Sequence, residues 1–147
     1  MQVQFWSPII TSIFVAPGEK TDPLPIEISP WHDERWVHIP KEHWNLILNF
    51  AETLDQNKAE KLDAYSWAAD NNEYNYIYAS TEALESLLVF MEELGRKIEL
   101  AGPLVPQATE EIPDEYINEE YVRMLKAVAS VFRESIRLRQ PFRAWVD

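Results

Sequence analysis

The run Arg35-Trp-Val-His-Ile-Pro40-Lys-Glu-His-Trp44-Asn-Leu-Ile-Leu48-Asn-Phe-Ala51-Glu-Thr-Leu54 changes its hydrophobic period in the middle. Before Pro40 it alternates. Trp36 and His38 face one way, Val37 and Ile39 the other, which is the two-residue period of a strand. After Pro40 the apolar residues recur at helical spacing: Trp44, Ile47, Leu48, Ala51 and Leu54 share one face, and Lys41, Glu42, Asn45, Asn49 and Glu52 the other. Pro40 suits a helix start, because the amide hydrogen it lacks would have no intrahelical partner there. A strand thus leads directly into a surface helix with one buried stripe.

Upstream of this unit the chain reads as extended. Residues 3–6 and 9–15 are rich in β-branched and aromatic side chains, with Ser7-Pro8 between them and Pro17-Gly18 closing the second. Residues 21–25 form a loop, and residues 26–29 a short strand broken by Pro30.

Downstream, the first helix ends near residues 55–57. Residues 58–69 fit a helix or a strand: good helix formers open the stretch, but Tyr65-Ser66-Trp67 suits a strand. Residues 70–73 read as a turn and 74–79 as a strand, with Tyr74, Tyr76 and Tyr78 on one face and Asn75, Ile77 and Ala79 on the other. Ser80 caps a second helix, with Glu82 in the first turn where the helix dipole favours an anion. Its stripe is Leu84, Leu87, Leu88, Met91, Leu94 and Ile98; the period favours a helix to about Leu100, and the alternative is an end at Gly95 with residues 97–100 as a short strand. Residues 103–113 hold three prolines and no period, so they form a loop. A third helix starts near Pro113 or Asn118, with Asn118 as cap and Ile117 stapled to Val122. Its stripe is Tyr121, Met124, Leu125, Val128, Val131, Phe132, Ser135 and Ile136, running to about Arg139. Residues 141–146 form a tail whose apolar groups lie back on the body.

Strands cluster early and long helices come late, without regular alternation. That predicts an α+β fold: a small, mainly antiparallel sheet from residues 2–39 and 73–79, packed by three amphipathic helices. At 147 residues the chain has the length of a single globular domain. Six Trp, six Tyr and six Phe fit a packed core and not a disordered tail.

The chain has no Cys, which excludes a disulfide scaffold, a zinc–thiolate site, an iron–sulfur cluster and thiol catalysis. No signal peptide or membrane-length apolar run is recognisable, so a soluble, cytoplasmic protein with no membrane contact is expected. Gly occurs only at 18, 95 and 102, which excludes phosphate-cradling and dinucleotide loops. There is no G-x-S-x-G elbow and no H-E-x-x-H zinc helix. Asp70-x-Asn72 opens like a calcium loop, but Asn75 stands where Gly is required and Thr81 where Glu is required.

The charge is segregated. The chain carries 25 acids against 13 Lys and Arg, a net charge of −12. Residues 121–147 reverse this, with six bases and two acids. The acidity argues against nucleic-acid binding, which rests on neutralising phosphates. Arg123, Lys126, Arg133 and Arg137 fall close together on the third helix, opposite its apolar face. They form a candidate self-association stripe, and the partner expected is another protein or a second copy of the chain.

The stretch from Ser29 to Pro40 is densest in functional side chains. All three histidines, His32, His38 and His43, lie within residues 32–43, beside Asp33, Glu34 and Glu42. Imidazole with carboxylate can bind a divalent metal or move protons near neutral pH. The spacing fits no compact site, so no metal and no cofactor are expected. Trp31 and Trp36 flank this run and are the tryptophans expected at the surface, whereas Trp44 belongs to a helix stripe and Trp6, Trp67 and Trp145 to the core or the tail. Trp31, His32, Asp33, Glu34, Trp36 and His38 are therefore the candidate binding surface. The acid pairs, such as Glu92-Glu93 and Glu119-Glu120, read as solvated charge. Small size, acidity, abundant aromatics and the missing catalytic motifs point to a non-catalytic protein-binding module of the inhibitor or immunity type, recognising a basic partner. The alternatives are a small enzyme or ligand-binding protein using residues 32–43, and an oligomeric structural protein.

Overall fold

A computed structural model describes residues 11–26, 29–67, 75–101 and 118–147. The switch of period at Pro40 is realised as expected. Strand β3 (Trp36–Pro40) runs without a loop into helix α1 (Lys41–Leu54). β3 lies beside β2 (His32–Asp33) on one side and β1 (Thr11–Val15) on the other. The fold is α+β: the described residues form a five-stranded antiparallel sheet with four helices, and strand order β2-β3-β1-β5-β4.

Two elements go beyond the sequence-based expectation. The ambiguous stretch is a fourth helix, α2 (Gln56–Ala64). Asp55 turns the corner from α1, ending that helix and accepting a hydrogen bond from the Lys58 amide at 3.1 Å as the cap of α2. The tail is no loose flap. It is strand β5 (Phe142–Val146), which pairs with β1 and with β4 (Tyr76–Ile77). Residues 26 and 29 lie in no strand. The strand expected at 3–6, the turn at 70–73, the loop at 103–113 and the Ile117 staple lie outside the described residues.

Helix α3 (Thr81–Leu100) is capped by Ser80, whose hydroxyl accepts from the Ala83 amide at 3.1 Å, and it continues through Gly95. Helix α4 (Asn118–Leu138) packs against it. The Asn118 side-chain amide donates to the carbonyls of Ile98 (2.8 Å) and Ala101 (3.2 Å), tying the start of α4 to the end of α3.

Alternation divides the sheet into two faces. Phe14, Val37, Ile39, Phe142 and Ala144 are fully buried on the helix side. Phe14 meets Trp44 edge-on at 5.5 Å, and Phe142 meets Phe132 at 4.9 Å, so α1 and α4 both reach the same sheet face. α4 is the central helix: Tyr121, Met124, Leu125, Val128, Val131 and Phe132 are buried together with the small residues Ala127, Ala129 and Ser130. Among the described residues no helix is long and apolar enough to cross a membrane.

Candidate functional site

The structure disperses the histidine run. His38 is exposed on the sheet face that points away from the helices. His32 pairs with Val37, hence has the opposite parity, and contacts Ser29 through Nδ1. His43 lies on α1 with no exposed surface, and its Nδ1 shares a hydrogen bond of 3.2 Å with the Tyr121 hydroxyl. Burial pushes its pKa down from 6.5 to about 4, so it is a neutral core group near neutral pH. Among the described residues no three His, Asp or Glu side chains converge as a metal site would require.

The tryptophan expectation is half corrected. Trp31 is buried, at 7% exposure, and its indole Nε1 donates to Glu120 at 3.0 Å. It is an anchor between the β2 hairpin and α4, not a free surface ring. Trp36 does stand on the open face of the sheet, half-buried. Asp33 shares that parity, since it pairs with Trp36, and is exposed together with Glu34. Of the expected binding surface, then, Asp33, Trp36 and His38 share one face, and Trp31 and His32 do not join them.

The surroundings of Trp36 go beyond what the sequence pattern shows. Val15 pairs with Trp36 on one side and Arg143 on the other, and Arg143 pairs with Tyr76. A single row therefore runs Trp36, Val15, Arg143, Tyr76 across four strands, about 14 Å end to end at the usual strand spacing. In the neighbouring row stand His38, Ile13 and Trp145. Trp36 and Trp145 pack edge to face at 5.6 Å. The Arg143 guanidinium lies 5.0 Å from the Trp145 ring and 5.8 Å from Tyr76, and Lys20 Nζ lies 6.0 Å from Trp36. A cleft of about 420 Å³ opens here, lined by Val15, Lys20, Arg35, Trp36, Tyr76 and Arg143 among others. The alternation of Phe142 and Ala144 with Arg143 and Trp145 is the signal that would have placed the last two on this face.

One wall of the cleft rests on a buried ion pair. Arg35 and Glu134 are both almost wholly buried, and Arg35 Nη1 donates to Glu134 at 3.0 Å and to the Pro17 carbonyl at 2.6 Å. Glu134 also accepts two hydrogen bonds from the exposed Arg137, at 2.6 and 2.9 Å. The bond from Arg137, joined by that from Arg35, holds the Glu134 carboxyl down at about 2 despite its burial. Gly18 closes over this pair with φ +117°, and a Cβ there would stand 2.8 Å from the Arg35 guanidinium carbon. The glycine is required twice, for its backbone conformation and for the close approach.

The basic stripe of α4 is exposed along its length: Arg123, Lys126, Arg133 and Arg137. Two of its members turn inward on their own helix, Arg123 to Glu120 at 3.1 Å and Arg137 to Glu134. Lys126 and Arg133 instead border a groove of about 350 Å³ between α3 and α4. Its floor includes Met91, Val122 and Leu125, and its α3 rim carries Glu92, Arg96 and Glu99. The outer face of α3 is more acidic still. Val89, 66% exposed, has exposed Glu82, Glu85, Glu92 and Glu93 on either side of it along the helix. Comparison with protein-family models, with curated proteins and with solved structures finds no match to this chain.

Proposed function

We propose that the protein is a non-catalytic binding module acting in the cytoplasm, and that it recognises a basic protein partner through the outer face of α3. One observation carries this reading: four exposed glutamates flank the exposed Val89 on one side of a rigid helix. At about 100° per residue, all four lie within about 60° of Val89. An apolar centre with a charged rim is the anatomy of a protein interface, and single-signed charge speeds encounter with an oppositely charged surface. In that sector the counter-charge is Arg96, 3.7 Å from Glu92 in an exposed pair worth little in water. The dispersal of the three histidines supports a role that needs no proton transfer.

The test is affinity capture from the lysate of the protein's own cells, with wild type and Glu85→Lys/Glu93→Lys as baits. A cationic protein retained by wild type, released by about 0.5 M salt and absent with the variant is the expected result. Retention of the same proteins by both baits, or of none by either, overturns the proposal.

The groove between α3 and α4 favours a second reading, self-association. Its α3 rim carries Glu92 and Glu99 beside Arg96, and its α4 rim Lys126 and Arg133, so a two-fold pairing would set the α4 bases of each copy against the α3 acids of the other.

A further inference from the structure

We propose that the groove between α3 and α4 closes on the same groove of a second copy, about a two-fold axis running along it, so that each α3 lies over the other copy's α4. The proposal rests on the self-association reading of this groove and adds which helix meets which.

The levels of the two helices are the first support. They run antiparallel. Asn118, at the start of α4, bonds to the carbonyls of Ile98 and Ala101 at the end of α3, and a Cβ on Gly95 would stand 3.9 Å from Val122. Three residues back from Gly95 is Glu92, and three and four forward from Val122 are Leu125 and Lys126. Glu92 and Lys126 therefore stand about level on opposite rims, and by the same count Leu88 stands level with Ala129. Rotation about an axis along the groove keeps every residue at its level and exchanges the rims. It brings Lys126 of each copy to Glu92 of the other.

Charge selects this rotation. A two-fold axis across the groove, in the plane of the interface, would lay α3 on α3 and α4 on α4, setting the bases of α4 on one another. Along the groove, the same bases meet acids. Lys126 and Arg133 are exposed, and among the described residues neither enters an ion pair. Glu92 has only an exposed pair with Arg96, at 3.7 Å, to give up.

The floor is the third support. Gly95 lies inside α3, where glycine is the poorest helix former after proline. Its φ is not positive, and a Cβ there would meet only Val122, at an ordinary contact distance. The packing of one copy does not require a glycine. The missing methyl instead leaves space in the floor of the groove, and the rotation brings Val122 of the second copy over it. Leu88 is likewise brought over the small Ala129. Small residues thus face larger ones at two levels, as close packing of helices requires.

The chain has no Cys, so single cysteines report the arrangement without background. The wild type should sediment as a dimer. Glu92→Cys and Lys126→Cys proteins, mixed and treated with a short thiol cross-linker, should give a covalent dimer, and each alone should not. The mixed dimer keeps its second Glu92–Lys126 pair, and both positions are exposed, so the fold is kept. Glu92→Lys and Lys126→Glu should each be monomeric alone and dimeric when mixed. Gly95→Ala should raise the urea midpoint of the dilute, monomeric protein yet weaken dimerisation by about tenfold, as overpacking does. A wild type that is monomeric at every concentration would overturn the self-association reading and this proposal with it. A dimer in which Glu92→Cys cross-links to itself, in which the mixture does not cross-link, or which Gly95→Ala leaves as tight as before, would overturn the proposal alone.

Discussion

Glu134 holds two guanidiniums, one of them sealed inside the protein. Glu134→Gln removes the carboxylate and leaves Arg35 buried without its counter-charge. We expect a loss of about 3–5 kcal/mol in urea titration; a cost under about 1 kcal/mol would show that Arg35 finds other support. The same group sets part of the acid response. Its folded pKa, near 2, lies below the ordinary carboxylate value of 4.5, so its contribution is complete above pH 4.5 and drains away as pH falls toward 2. His43 acts in a higher window. Its pKa drops from 6.5 to about 4 through burial, so the unfolded chain takes up the proton first and stability falls as pH goes from 6.5 to 4. In His43→Gln the slope of stability against pH over that window should flatten, whatever the substitution costs at pH 7. A third residue stands in a conformation that suits it badly. Arg139 has φ +53° just past α4, where its amide donates to Ile136 and the Gln140 amide to Ser135. That is the Schellman closure, which favours glycine. Arg139→Gly should stabilise the protein by about 1 kcal/mol, read as a raised urea midpoint.

Among the elements, long amphipathic segments were legible and short ones were not. The stripes of α1, α3 and α4 name mostly buried residues, because a helix of several turns repeats its pattern often enough to be unambiguous; the departures are Leu54 at the end of α1, which is exposed, and Leu88 and Ile136, which are half-buried. β5 has five residues, and its alternation competes with a proline and a charged end, so its sequence reads as a tail. α2 has only Ala59 and Leu62 buried, too thin a stripe to recognise. The site was less legible than the fold. Trp36 was picked out, but its companions Val15, Tyr76 and Arg143 come from distant strands, and only the register of the sheet brings them together. Trp31 was misplaced because its partner, Glu120, is 89 positions away. Packing between elements yields a graded expectation. Phe132, fully buried between α4 and β5, should cost about 3–5 kcal/mol when cut to Ala. Leu88 is only half-buried at the α3–α4 groove, so Leu88→Ala should cost clearly less; equal midpoints for the two would mean that the groove is filled.

For the molecule as a whole, the segregated charge gives self-association a test. If Lys126 and Arg133 dock on Glu92 and Glu99 of a second copy, sedimentation at low salt should show a dimer. It should dissociate as salt rises and vanish with Lys126→Glu/Arg133→Glu, since exposed charges are screened over about 10 Å at 0.1 M. A monomer at every salt concentration, the same in both proteins, would leave the stripe as a solvated face. The strand order has a bearing of another kind, on the chain as it is made. β1 lies between β3 and β5, and Val15 must wait for Arg143 before that side of it is paired. At about 5–20 residues per second, a ribosome takes roughly 6–25 s to supply the missing strand. Throughout that interval the side of β1 that β5 will cover stays open to any extended segment that passes. Birth, not maturity, is when this protein is most exposed to mispairing, and keeping that side covered is a task for whatever attends the chain at the exit tunnel.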